Sequence, residues 1–172
     1  MKKTVLTFGL ISGAILSAMM LVTLPFQDRI GFDSGAVIGY TTMVLAFLLI
    51  FFGVRSYRDN VAGGTVRFGR AFLVGALIAA VASLCYVATW EVIYFKLAPD
   101  FATKYQAHVL EKARAEGQDE QALARKKADM DEFKEFYDNP AANAAITFLE
   151  PLPVALVLTL VSAGVLSRRR AP

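Results

Sequence analysis

The sequence predicts an all-α integral membrane four-helix bundle, with an extracytoplasmic amphipathic helical hairpin between helices 3 and 4. Three observations predict it. The chain is 172 residues long, 56% hydrophobic and only 19% charged, with a mean hydropathy of +0.48, where soluble domains average about 25% charged residues. Its charges fall into blocks separated by four long apolar runs, and the positive blocks recur after every second run. A single membrane domain over residues 1–172 is therefore expected.

The runs are 4–24, 35–54, 71–95 and 141–167. Each is near or above the roughly 20 residues that cross about 30 Å of hydrocarbon as a helix. The first follows Lys2-Lys3 and so has the opening of a secretory signal. It runs to Leu24 without an A-x-A site, longer than the usual signal core of about 7–15 residues, and reads as a retained helix. The third run contains the lone cysteine, Cys85, which supports no intramolecular disulfide or metal cluster and reads as a small packing residue.

Lys and Arg in short loops mark the cytoplasmic side. Lys2 and Lys3 precede helix 1, Arg55, Arg58, Arg67 and Arg70 join helices 2 and 3, and Arg168, Arg169 and Arg170 follow helix 4, with Asp59 as the only acid among them. Four crossings place all these groups on one side, so both termini are expected in the cytoplasm. The segment 99–139 has ten acids against seven bases and falls on the other side. The pI of 9.1 is thus a topology signal, and no nucleic-acid partner is expected.

That segment reads as two helices parted, or one helix kinked, at Gly117. Pro99 suits a first helical position, with Asp100 at the positive end of the dipole. Phe101, Tyr105 and Val109, then Leu123, Met130, Phe133 and Tyr137, recur at helical spacing. The stripe predicts a cap resting on the bundle, or a surface for a partner. Asp138 or Asn139 could cap helix 4, with Pro140 in its first turn.

Within the runs, small residues recur four apart: Gly9, Gly13 and Ser17; Gly35 and Gly39; Gly75, Ala79 and Ser83; Ala155, Thr159 and Ala163. Such faces bring backbones close, within one chain or between copies. Two acids interrupt the apolar runs. Glu91 lies in TWEVIYF and Glu150 in FLEPLP, both in the outer half by residue count. A carboxylate there faces the bundle interior or water. Pro151 and Pro153 should kink helix 4 beside Glu150. With Trp90 and Tyr94, and with Tyr86 and Lys96 nearby as donors, the two acids form a candidate polar site. The alternative is a structural role, with Trp90 and Tyr94 as interfacial anchors. His108, the single histidine, has no second ligand at metal spacing and reads as a solvated helix position.

The stretch VRSYRDNVAGGTVRFGRAF, 54–72, resembles a phosphate loop only superficially. It lacks the lysine of G-x-x-x-x-G-K-[ST] and lies between apolar helices. Gly63-Gly64 suit a tight turn, and Arg55, Arg58, Arg67 and Arg70 suit contact with anionic lipid head groups. No catalytic, cofactor or metal motif is legible.

The segments KKTVLTFGLISG, GYTTMVLAFLLIFFGVRSYRDN with the following GG and FGRAF, YVATWEVIYFKLAPDF and KYQAHVLEKARAEG resemble an uncharacterised bacterial four-helix membrane family, domain of unknown function 4199. The resemblance covers nearly the whole chain. It implies a multi-pass protein of the bacterial inner membrane, and no activity or site residues to transfer. The expected function is a non-enzymatic structural or partner-binding module, its partners being membrane lipids and a second copy or another membrane protein. The alternative is a small transporter or a proton- or cation-responsive subunit using Glu91 and Glu150.

Overall fold

The computed structural model describes residues 1–167; Arg168, Arg169 and Arg170 lie outside the described residues. The chain is all-α. Helix α1 (Lys2–Thr23) passes through a 3-10 turn (Leu24–Phe26) into the short α2 (Gln27–Ile30). Then come α3 (Phe32–Asn60), α4 (Phe68–Val92) with a π-helical turn (Ile93–Leu97), α5 (Phe101–Ala115), α6 (Glu120–Tyr137), α7 (Pro140–Leu149) and α8 (Leu152–Leu166). Among the described residues four stretches are long and apolar enough to cross a membrane: Lys2–Ile30, Phe32–Asn60, Phe68–Leu97 and Pro140–Leu166.

The last of these is interrupted where the prolines require it. Pro151 has no N–H to give α7, so α7 ends at Leu149 and α8 starts at Leu152. Asn139 caps α7, its Oδ1 accepting from the N–H groups of Ala141 and Ala142 at 3.0 and 3.2 Å, with Pro140 at the first helical position. Pro99 differs from the sequence reading. It sits in a turn before α5, and Asp100 occupies the N-cap position without a capping bond, paired instead with Lys104 at 3.0 Å.

Helix α4 is the centre of the bundle, packed by α1, α3, α7 and α8, and α3 also packs on α1 and α8. The small-residue faces of α1 and α4 are spent within the chain. A β-carbon on Gly9 would lie 2.7 Å from Cβ of Val81, and one on Gly13 would lie 2.6 Å from Cβ of Cys85. Thr89 Oγ1 then donates to Ser17 Oγ at 2.7 Å. Val81, Cys85 and Thr89 are themselves four apart, so two i, i+4 rows face each other down the α1–α4 seam. Gly75 is likewise filled by Thr159 Cγ2, which a β-carbon would approach to 2.9 Å. The Gly35–Gly39 row behaves otherwise: no atom lies within 4 Å of a β-carbon at Gly39.

The two ends of the bundle differ. At the loop end, α3 and α4 are joined through Gly63 and Gly64, at φ +71° and +87°, and the Gly64 N–H bonds to the Arg58 carbonyl at 2.9 Å. Arg70 Nη1 reaches Met1 Sδ at 3.9 Å, so the N-terminus is at this end. At the cap end, α5 and α6 turn back on each other at Gly117 (φ +82°), and Gln106 of α5 donates to Asp131 of α6 at 2.7 Å. Ion pairs fasten α5 to the first turn of α3 and to α2: Lys112–Asp33 at 3.0 Å and Lys104–Asp28 at 3.6 Å. The Phe32 ring packs against Phe101, Tyr105 and His108 with centroids 5.3–5.5 Å apart. His108 is therefore only partly solvated, its side chain 33% exposed. It rests on Phe32 and lies 3.5 Å from Asp33.

Candidate functional site

The buried residues of α3 are Met43, Ala46, Phe47, Ile50, Gly53, Val54, Tyr57 and Arg58, and none lies in its first eleven residues. The helix packs extensively on α8 and has no comparable contact with α7. The result is a cavity of about 480 Å³ at the cap end. Its walls are the end of α1 (Leu16, Met19, Met20), the start of α3 (Gly35, Gly39, Tyr40, Met43), the end of α4 (Tyr86, Trp90, Tyr94) and the α7–α8 junction (Ile146, Glu150). The α5–α6 pair supplies the roof with Phe101, Tyr105, Met130, Phe133 and Tyr137.

Nine aromatic side chains line this space, and among the described residues the only charged ones in the lining are Lys134 and Glu150. Tyr86, Trp90 and Tyr94 recur every fourth residue and so share the cavity face of α4; the π-helical turn at Ile93–Leu97 adds the kind of irregularity that often accompanies binding sites.

Polar groups around the cavity are tied into two networks. Trp90 Nε1 donates to Tyr137 Oη at 2.9 Å, Tyr137 meets Thr147 Oγ1 at 3.0 Å, and Thr147 donates to Asn143 Oδ1 at 3.3 Å. The Asn143 amide closes the ring on the Tyr137 carbonyl at 3.3 Å. Asn143 is fully buried, and this ring supplies the partners that a buried amide needs in an apolar setting. In the second network, Asp138 accepts from Tyr94 at 2.6 Å and from Lys134 at 2.5 Å. Those bonds, Lys134 first, hold the Asp138 carboxyl below its ordinary value of 3.8. The Tyr137 hydroxyl is pushed up by burial and, to a lesser degree, by the charges of Glu150 and Glu91.

Of the sequence-predicted polar site, three members come together and one does not. Glu150, Trp90 and Tyr94 line the cavity, whereas Glu91 is not among the lining residues. Glu150 Oε2 accepts from Tyr86 Oη at 2.9 Å. Glu91 Oε1 is buried without a hydrogen-bond partner, and no hydrogen bond links the two acids. The 91st position follows Trp90 by one residue, about 100° around the helix, which turns it off the face that Tyr86, Trp90 and Tyr94 share. Sequence reasoning missed Tyr137, Thr147, Asn143, Lys134 and Asp138. Only Tyr137 carried a signal, as the last member of the α6 apolar row.

The arginines split as well. Arg55 and Arg58 stand on the last turns of α3, Arg67 at the N-cap of α4 and Arg70 in its first turn. Arg55, Arg67 and Arg70 are exposed. Arg58 is 8% exposed and its Nε donates to Asp59 at 2.7 Å, so it is poorly placed for a head group. Among the described residues no group of three or more His, Cys, Asp or Glu could hold a metal ion.

These features define an all-α protein on four helices of membrane-crossing length and apolarity, with an aromatic cavity at one end. A family model matches residues 7–168, nearly the whole chain, and the chain belongs to that family, the proteins of unknown function DUF4199. No curated protein and no solved structure matches it.

Proposed function

We propose that this is a non-enzymatic, multi-pass protein of the bacterial inner membrane that binds a lipid-soluble molecule in the cavity between α3 and the α7–α8 junction. Both termini are cytoplasmic in this reading, and the α5–α6 pair is an extracytoplasmic hairpin that roofs the site. The observation that carries it is the hollow itself. A volume of about 480 Å³ lies within the usual size of ligand sites, about 300–1,000 Å³, and an apolar wall with a few fixed polar groups is the usual lining. The positive block at the loop end supports the orientation, and exposed Arg55, Arg67 and Arg70 suit anionic head groups there. The joint carboxylate pocket loses support, because Glu91 lies off the cavity; Glu150 remains its one acid.

Trp90 is the only tryptophan of the chain and lines the cavity, so its fluorescence reports occupancy. A neutral brominated aromatic added to protein in nanodiscs should quench Trp90 with a saturable component. Gly39→Phe, which puts a ring into open space, should remove that component. Quenching that rises linearly in the parent, as for simple partition into lipid, would overturn the reading.

A further inference from the structure

We infer that the occupant of the cavity carries a positive charge: the site takes a lipid-soluble organic cation, an ammonium or phosphonium-like group on an apolar body. The inference rests on the binding role proposed above and adds the chemistry of the ligand.

The argument is one of charge complementarity. The lining has two charged residues, and one is already satisfied: the ammonium of Lys134 lies on Asp138 at 2.5 Å. Glu150 is different. Its one hydrogen bond comes from a neutral phenol, Tyr86, and among the described residues no Lys, Arg or His pairs with it. A carboxylate in an apolar wall needs a counter-ion, a proton or water. The volume beside it has room for the first, and the rest of the wall is built to favour it. Tyr86 and Trp90 stand on the same cavity face of α4 as Tyr94, and Tyr40 and Tyr137 line the same space. Aromatic faces attract cations, and rings beside a carboxylate suit an ammonium or phosphonium-like group. An anion would meet Glu150 and gain nothing from the rings. A neutral hydrocarbon would fit the walls and leave the carboxylate unmatched. Such a cation has two sources, the amine head group of a membrane lipid and a free lipophilic cation.

The test uses two ions of nearly identical shape and opposite charge, tetraphenylphosphonium and tetraphenylborate, titrated onto full-length protein in phosphatidylglycerol nanodiscs. Trp90 emission is the readout, each ion being referenced to its own partition into empty nanodiscs. The phosphonium should bind at least about tenfold more tightly, and Glu150→Gln should erase that preference. Glu150→Asp, which keeps the charge, should retain most of it and guards against a Gln variant that fails to fold. Glu91→Gln, off the cavity, should leave it unchanged. Adding phosphatidylethanolamine separates the sources: competition points to the lipid amine, and its absence to a free cation. Equal affinity for the two ions, or a cation preference that survives Glu150→Gln, overturns the inference while leaving the cavity's binding role intact. Failure of the neutral quencher to saturate overturns that role instead.

Discussion

The loop half and the cap half of this bundle are made from similar residues and end in opposite states. Toward the loop end and along the α1–α4 seam, glycine and alanine rows let α1, α3, α4 and α8 close on each other until no β-carbon would fit at Gly13 or Gly53; one on Gly53 would lie 2.5 Å from Ile78 Cδ1. Toward the cap end, Gly35 and Gly39 present the same spacing, yet they face a cavity. The difference lies in what stands opposite. Gly13 meets Cys85, a small side chain on a helix with its own four-residue row. Gly35 and Gly39 line the same cavity as the large Tyr86–Trp90–Tyr94 row, and the helix is interrupted at Glu150–Pro151. A small residue brings helices together only where its partner is small as well.

The contrast can be broken most severely at the closed half. Gly13→Val should destabilise the protein by about 1–3 kcal/mol or more, because the obstructing atom is a neighbouring β-carbon that cannot rotate away. Thermal unfolding in detergent measures it, and a melting temperature equal to the parent's would refute close packing at the α1–α4 seam. Tyr137→Phe comes next. It removes the acceptor of the Trp90 indole and the partner of Thr147, at a cost of about 1–2 kcal/mol. The loss should show as faster proteolysis at the Gly117 turn, since this ring ties α6 to α4 and α7.

Gly39→Phe is the matching probe of the open half. It should leave stability within about 0.5 kcal/mol of the parent, or raise it, while abolishing ligand-dependent Trp90 quenching. A drop as large as that of Gly13→Val would show that the cap half is closed in solution. The smallest effect belongs to acid. Asp138 is held below its ordinary value of 3.8 by Lys134 and Tyr94. A lowered native value means that its contribution is full above the unfolded value and disappears as pH falls through the native one. Only a slight loosening of α6 is expected, because both partners of the ion pair are partly exposed. Hydrogen exchange at 134–139 between pH 6 and pH 3 measures it, and Asp138→Asn should remove the dependence.

Much of the fold was legible because it follows from local chemistry. The four apolar stretches, the Asn139 cap, the turn at Gly63-Gly64 and the break at Gly117 each depend on residues within a few positions of one another. The cap-end site was legible only in pieces. The acid Glu150 and the aromatics Trp90 and Tyr94 stand out because such residues are unusual in apolar runs. Their pairing with Tyr86 at 2.9 Å spans 64 residues, and no periodicity encodes it. Glu91 looked equivalent to Glu150 by depth along the chain, yet depth says nothing about azimuth.

Hydropathy and charge alone, then, decided that this chain is all-α with four helices able to cross a membrane, since length and transfer energy are properties of each segment by itself. They also marked Glu150 and Pro151 as the place where an apolar run is interrupted, since a carboxylate and a missing N–H are legible residue by residue. Tertiary structure decided which small-residue rows close and which stay apart, that Lys134 is claimed by Asp138, and that Glu150 is left beside a space lined with rings. Those outcomes depend on which surfaces meet, and the size and charge of a side chain's partner are set only when the helices have packed.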